Sequence, residues 1–124
     1  MNIVDSCGWL EFFADGPNAQ YFAKPLEMTK ELLVPSITLF EVFKVVLRER
    51  GEDAALQAVA LMKQGQVVEL TDSIAIFAAK ISHEQKLPLA DSMIYATAQL
   101  KQATVWTQDD HFKNLSQVKY FSTQ

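Results

Sequence analysis

The sequence has little of what marks a secreted, disordered or membrane protein. Its single cysteine, Cys7, excludes an internal disulfide and favours a reducing compartment. Four Gly and four Pro among 124 residues, with 49% hydrophobic residues, predict a chain that buries a real core. No apolar run approaches the roughly 18 residues that a membrane span needs, and the first residues show no secretory signal. We therefore expect one cytoplasmic domain, residues 1–124, with no membrane association.

Short apolar runs alternate with longer helical patterns along the chain. Strands are predicted at 2–5, 32–35, 66–70 and 103–107, with a possible fifth at 118–121. Helices are predicted at 8–15, 16–26, 37–50, 52–64, 74–86 and from 88 onward. Ser36, and either Asp72 or Ser73, are the expected helix N-caps. This alternation predicts an α/β domain with a central, mainly parallel sheet and helices on both faces.

Three aspartates stand where a ligand site of such a fold is expected. Asp5 and Asp109 follow the first and fourth strands, at the sheet edge where ligands bind, although either also suits a helix N-cap. Asp91 is the only charge between Lys86 and Lys101 and lies in the first turn of its helix. The helix dipole also favours an acid there, so capping is the alternative for all three.

Glu41 is a fourth acid in unusual surroundings. Its helical neighbours Ile37 and Val45 are apolar, and burying a lone carboxylate is costly unless it is paired or bound to a cation. A surface pair with Lys44 is the alternative. Four carboxylates on four elements would together offer the hard oxygen ligands that Mg²⁺ or Mn²⁺ prefers, and these ions commonly serve phosphoryl chemistry.

Four segments, in this order and spacing, resemble the PIN domain family: "IVDS", "TLFEV", "LPLADSMIYATA" and "VWTQDDHF". Their spacing and the chain length are most similar to the VapC-type ribonuclease toxins of bacterial type II toxin–antitoxin pairs. The resemblance implies a PIN-like three-layer α/β/α fold and a Mg²⁺- or Mn²⁺-dependent endoribonuclease. It also implies an RNA substrate, a small antitoxin whose C-terminal segment blocks the site, and a homodimer.

The resemblance assigns roles to particular residues. The acidic quartet it implies is Asp5, Glu41, Asp91 and Asp109. The three aspartates are the expected metal ligands, whereas Glu41 either ligates or orients and deprotonates the attacking water. Small hydroxyl residues beside the first and last acids are expected to hydrogen-bond the ligands, and these are Ser6 and Thr107.

Other polar residues near these motifs carry weaker expectations. Asp110 competes with its neighbour Asp109 for the last ligand position, and His111 stands where many relatives carry another acid. His83 and His111 lack metal-ligand spacing, so both are expected at the surface. Cys7 has no histidine partner in the sequence pattern and is expected to be a buried thiol rather than a nucleophile.

Two further observations bear on function. The net charge of −4 argues at first against a nucleic-acid partner. Without the four acids of the quartet, however, eleven of the fifteen acids remain against eleven Lys and Arg, so the acidity does not exclude RNA. Three alternatives stay open, namely a phospho-accepting receiver domain, a haloacid-dehalogenase-like phosphatase, and an inactive PIN-like module that binds RNA or protein.

Overall fold

The computed structural model describes residues 1–123. The strands within them are β1 (Asn2–Val4), β2 (Leu32–Pro35), β3 (Gln66–Val68), β4 (Thr104–Thr107) and β5 (Val118–Tyr120). The helices are α1 (Ser6–Phe13), α2 (Ala19–Glu27), α3 (Ser36–Arg50), α4 (Glu52–Met62), α5 (Asp72–Gln85) and α6 (Leu89–Lys101). Short 3-10 turns occupy Thr29–Glu31 and Asp110–Phe112. Across this part of the chain, no helix combines the length and apolarity needed to cross a membrane.

The five strands form one sheet in the order β3-β2-β1-β4-β5, and all four neighbouring pairs are parallel. Ile3 at the centre lies in register with Leu33 on one side and Val105 on the other. The prediction of a parallel sheet is confirmed. Receiver domains have the flavodoxin-like order 2-1-3-4-5, so the observed order contradicts the receiver alternative.

Two apolar cores lie on the two faces of the sheet. Successive side chains of a strand point to opposite faces, so Ile3 and Val4 of β1 enter different cores. The core around Ile3 is formed largely with residues of α5 and α6, and the core around Val4 with residues of α1 to α4. The chain is therefore a three-layer α/β/α domain, as predicted.

Gly8 lets α1 approach the sheet and α2 closely. A Cβ at this position would lie 2.6 Å from Val4 Cγ1 and 2.7 Å from Phe22 Cδ1, both in core side chains. A larger residue would push α1 outward, together with the start of the helix directly after Asp5. Gly8 thus helps to fix the position of the residues that follow β1.

Two predicted helix caps are wrong by one residue. Pro35 occupies the N-cap of α3, and Ser36 is already helical. The Ser36 hydroxyl instead accepts a hydrogen bond from the Leu70 backbone N–H at 3.2 Å. At α5 the N-cap is Thr71, whose Oγ1 accepts from the backbone N–H of the third helical residue at 3.2 Å, so neither Asp72 nor Ser73 caps this helix.

Candidate active site

The candidate site lies where the strand order reverses, between β1 and β4. Asp5 directly follows β1, and Asp109 follows β4 by one intervening residue. The backbone N–H of Asp5 donates to the Trp106 carbonyl at 3.0 Å, which ties the two strand ends together. Ligands of open parallel sheets bind in the crevice outside the carboxyl ends of the strands at such a reversal. The position of both acids is the one expected from sequence.

Four residues form what we call the inner half of the site: Asp5, Ser6, Glu41 and Thr107. Asp5 is 3% exposed and accepts from the Ser6 N–H at 2.7 Å and from Thr107 Oγ1 at 2.9 Å. The Ser6 hydroxyl donates to Glu41 Oε1 at 2.5 Å. Ser6 therefore connects the carboxylates of Asp5 and Glu41. Within residues 1–123, all the hydrogen-bond donors to these two carboxylates are neutral groups.

The alternative for Glu41, a surface pair with Lys44, is contradicted by its surroundings. Glu41 is half-buried and bonded to Ser6, and across residues 1–123 no ion pair joins it to Lys44. The Lys44 ammonium instead lies 5.7 Å from the centroid of the Phe40 ring. Glu41 thus faces the site rather than the solvated side of α3.

Three residues form the outer half of the site: Asp91, Asp109 and His111. His111 Nδ1 lies 2.9 Å from Asp91 Oδ2 and 3.1 Å from Asp109 Oδ1. One ligand atom from each residue lies within 4.8 Å of the others. The two halves meet at Thr107, because its Oγ1 donates to Asp5 and accepts from the Asp109 backbone N–H at 2.9 Å.

Capping and site formation are not exclusive for two of the acids. Asp5 is the N-cap of α1, and Asp109 is the N-cap of the 3-10 turn, where its Oδ1 accepts from the His111 N–H at 2.9 Å. Asp91 differs because the N-cap of α6 is Pro88, without a side-chain hydrogen bond. Asp91 is buried, and its Oδ2 contacts His111 rather than the backbone of its own helix.

Burial and mutual repulsion raise the pKa values of the acids. Burial raises the pKa of Asp5 to about 6, although hydrogen bonds from Thr107 and Cys7 oppose the rise. Burial, followed by the charges of Asp5 and Asp109, raises the pKa of Asp91 to about 7. The pKa of His111 is raised in turn by the Asp109 charge and by the hydrogen bond with Asp91. These shifts show that the carboxylates lack a full compensating charge.

The donor set fits a divalent metal ion. Carboxylate oxygens are the ligands that Mg²⁺ and Mn²⁺ prefer, and acids with raised pKa values gain from a nearby cation. Asp91 and Asp109, with His111, form the cluster with the spacing to hold an ion. Asp5 and Glu41 are not members of this cluster, so their direct ligation remains a prediction.

His111 is the residue that sequence reasoning missed. Its ring is 56% exposed, as expected for a surface residue, yet its Nδ1 points into the acid cluster. The available signal was the segment "DDHF", in which a capping acid precedes the imidazole by two positions and Phe112 anchors the turn in the core. Asp110 is directed elsewhere, because it accepts a short hydrogen bond from the Tyr120 hydroxyl.

Cys7 borders the site without chemical activation. Its Sγ lies 3.3 Å from Asp5 Oδ2 and 3.3 Å from Thr107 Oγ1. Burial and the Asp5 charge raise the pKa of the thiol far above its usual range. The thiol is therefore neutral, which fits the expected role as a packed side chain rather than a nucleophile.

A groove of about 660 Å³ opens beside the inner half of the site. Its walls come from α1, α3 and α4. Apolar side chains, Leu10, Phe13, Val45 and Leu61 among them, line it beside the charged Glu11, Glu49 and Arg50. Cys7 and Gln108 also line the groove, so it reaches the edge of the acid cluster. An apolar segment bound there would end next to the carboxylates.

The family of the chain follows from its sequence and is matched by its fold. The PIN domain family model matches residues 3–118. The chain belongs to the PIN domain family. This membership confirms the resemblance that the four sequence motifs indicated.

Solved structures of other PIN-fold proteins superpose over nearly the whole chain. A toxin–antitoxin complex from Klebsiella pneumoniae has a TM-score of 0.84 and 19% identity, covering 98% of this chain and 99% of that chain. VapC20 of Mycobacterium tuberculosis, described as a sarcin–ricin loop cleaving toxin, has a TM-score of 0.77 and 16% identity, covering 94% and 95%. FitAcB from Neisseria gonorrhoeae has a TM-score of 0.65 and 24% identity, covering 98% and 97%. No match was found among curated proteins.

Proposed function

We propose that this PIN domain protein is a metal-dependent endoribonuclease and the toxin of a type II toxin–antitoxin pair. The observation that carries the proposal is the convergence of Asp5, Glu41, Asp91 and Asp109, from four separate segments, at the reversal point of the sheet. The similarity in fold to toxin–antitoxin complexes and to an RNA-cleaving toxin supports the biological assignment.

The reaction is in-line attack of water on an RNA phosphodiester. When bound, Mg²⁺ or Mn²⁺ supplies Lewis-acid stabilisation of the phosphate charge and makes water more acidic. Asp91 and Asp109 would hold the ion, with Asp5 as the third expected ligand. Glu41, which accepts a hydrogen bond from the Ser6 hydroxyl, would orient and deprotonate the attacking water. Thr107 holds Asp5 and the Asp109 backbone in fixed relation.

The direct test is incubation of the purified protein with structured RNAs in EDTA, in Mg²⁺ and in Mn²⁺. Cleavage is expected only with added metal, and it should be lost in Asp91→Asn. A folded protein that binds metal but leaves every RNA intact would instead support the inactive RNA- or protein-binding module. Cleavage that persists in EDTA would contradict the metal-dependent mechanism.

The groove beside the site is the surface that we assign to the antitoxin. Its apolar side chains suit an apolar C-terminal segment of a small protein, and its position next to Cys7 and Gln108 would let that segment cover the acids. Co-expression with the small protein encoded beside it should relieve growth arrest. Leu61 lines the groove and is 40% exposed. The substitution Leu61→Glu should abolish this relief while leaving RNA cleavage intact. Relief that survives the substitution would move the antitoxin surface elsewhere.

Exposed apolar side chains support the proposed homodimer. Phe40, Ile76 and Leu89 are 61%, 71% and 71% exposed and lie on α3, α5 and α6. An interface that buried these side chains together would remove their apolar surface from water, which is favourable. Light scattering should report a dimer for the parent and a monomer for the double variant Ile76→Glu, Leu89→Glu. A monomeric parent would contradict the assignment.

A further inference from the structure

His111 supplies the nitrogen donor in a cluster otherwise built from carboxylate oxygens. Its Nδ1 lies 2.9 Å from Asp91 Oδ2 and 3.1 Å from Asp109 Oδ1. Neighbouring ligand atoms around an octahedral ion with bonds of about 2.1 Å are separated by about 3 Å. The distances from His111 Nδ1 to the two aspartate oxygens therefore match those between neighbouring ligand atoms of one bound ion.

The local backbone holds the imidazole in this place. Asp109 is the N-cap of the 3-10 turn, and its Oδ1 accepts from the His111 N–H. The turn ends at Phe112, which is fully buried. The Asp109 N–H is fixed in turn to Thr107 Oγ1. The ring is thus positioned by a short, anchored turn rather than by a flexible arm. Because the ring is 56% exposed, an ion from solvent has access to it.

We propose that His111 is a metal ligand through Nδ1 and that it gives this site a mixed nitrogen–oxygen donor set. Mg²⁺ takes its ligands almost entirely from oxygen, whereas imidazole suits first-row transition-metal ions. His111 therefore shifts the preference of the site from Mg²⁺ toward transition-metal ions. The inference deepens the proposed function, since it concerns the metal of the same site, and its test does not depend on cleavage.

The test uses Mn²⁺ alone as the probe, with binding and pulsed electron paramagnetic resonance as readouts. Bound Mn²⁺ in the parent should show coupling to a nitrogen-14 nucleus of the imidazole. His111→Asn should lose this coupling and bind Mn²⁺ about 10–100-fold more weakly, with a smaller loss for Mg²⁺. His111→Asp, which restores a third carboxylate, should bind Mg²⁺ at least as well as the parent but show no nitrogen coupling.

His83→Asn is the matched control, because His83 is the other histidine of the sequence and is exposed near the end of α5. This variant should keep both the nitrogen coupling and the parental ratio of Mn²⁺ to Mg²⁺ affinity. Circular dichroism checks that each variant is folded, and a lack of nitrogen coupling in the parent spectrum can be interpreted without any variant. Mn²⁺ bound to the parent without nitrogen coupling would overturn the inference, and so would coupling that persists in His111→Asn.

The inference and the proposed function fail in distinguishable ways. RNA cleavage by the parent with Mn²⁺, but without nitrogen coupling, would remove His111 from the metal and leave the nuclease assignment standing. Nitrogen coupling that depends on His111, without cleavage of any RNA, would establish the ligand and remove the nuclease assignment. A parent protein that binds Mg²⁺ but no Mn²⁺ would overturn the inference and leave the nuclease assignment standing, whereas one that binds neither ion would overturn both.

Discussion

The two halves of the candidate site hold their clustered carboxylates with different kinds of hydrogen-bonding partner. In the inner half, backbone and hydroxyl donors hold buried carboxylates without any charge of opposite sign. In the outer half, two carboxylates share one imidazole, and the group is open to solvent through His111. Under the proposed function, the outer half would receive the cation, and the inner half would hold Asp5 and orient Glu41 toward the attacking water.

Neutral donors do not offset the burial of a carboxylate. Asp5 accepts hydrogen bonds from Ser6 and Thr107, with Cys7 nearby, yet burial still raises its pKa to about 6. Asp91 has His111 beside it, and its pKa still rises to about 7. A divalent ion would therefore stabilise the ionised carboxylates of both halves. Each half can be changed separately by substitution.

The largest effect is expected from Asp91→Asn, which breaks the outer half. RNA cleavage should fall by more than the about 10–100-fold that loss of a ligand's hydrogen-bond partner costs. Without metal, the variant should be as stable as the parent or more stable, because one of the mutually repelling charges is removed. Added Mg²⁺ should raise the melting temperature of the parent more than that of the variant, since only the parent keeps the complete site.

The matched control for this prediction is Asp53→Asn. Asp53 also lies in the first turn of a helix, but it is exposed and far from the motif residues in sequence. Cleavage and the response to Mg²⁺ should both stay at parental values. Full cleavage activity in Asp91→Asn would show that Asp91 is not a metal ligand and only interacts with the N-terminal end of its helix.

A smaller loss is expected from Thr107→Val, which breaks the inner half. The change removes the donor to Asp5 and leaves the part-buried Asp109 N–H without its acceptor. An unsatisfied buried group costs about 1–3 kcal/mol of unfolding free energy, and cleavage should fall by about 10–100-fold. Urea unfolding and cleavage assays measure the two effects. Thr104→Val on the same strand is the control, and an equal loss there would show that any change in β4 suffices.

The pH dependence of stability sharpens the comparison in metal-free protein. The pKa values of Asp5 and Asp91 rise from 3.8 to about 6 and about 7, so the folded state binds more protons than the unfolded state in this interval. Their protonation stabilises the fold fully below pH 3.8, and this contribution is lost as the pH rises through the folded pKa values. The raised pKa of His111 acts with the same sign.

Urea unfolding in EDTA should therefore show a lower free energy of unfolding at about pH 8 than at about pH 5. Asp91→Asn should make this difference smaller, because its own share of the proton binding is gone. Saturating Mg²⁺ should also reduce the difference in the parent. A parent whose stability rises over this interval would contradict the charge imbalance inferred for both halves.

The smallest effect is expected from Cys7→Ala. The thiol contacts the inner half but is neutral, because burial raises its pKa far above the usual range. RNA cleavage should proceed at the parental rate, and a thiol-alkylating reagent should inactivate the parent only slowly, because a neutral thiol is a poor nucleophile. Loss of cleavage in a folded Cys7→Ala protein would show that the thiol takes part in holding Asp5.

The strands and most helices were predictable because their signals are local. Apolar runs bounded by charged or turn-forming residues placed β2 at residues 32–35 and β4 within one residue of its start. The helix starts were less predictable, because capping depends on where a hydroxyl finds its partner. Ser36 binds the N–H of Leu70, 34 positions away, and no local pattern encodes that contact.

The candidate site divides in the same way. The four acids were marked by their unusual surroundings and by family resemblance, and the structure connects them through Ser6, Thr107 and His111. His111 escaped because its exposure is that of an ordinary surface residue, and only the geometry of the turn aims its Nδ1 at the acids. The order of the strands was not predicted, since alternating strands and helices fit several parallel sheets.

The adjacency of β1 and β4 also governs when a growing chain can assemble the candidate site. Asp5 and Thr107 are joined by a hydrogen bond although they lie 102 positions apart, and the cluster further requires His111. During synthesis, the ribosome must therefore release almost the whole PIN domain before the site can assemble. A nascent chain carries its first acid from the outset but gains the complete cluster only when β4 and the following turn dock beside β1. Translation itself thus delays the appearance of the proposed nuclease activity until the domain has folded around it.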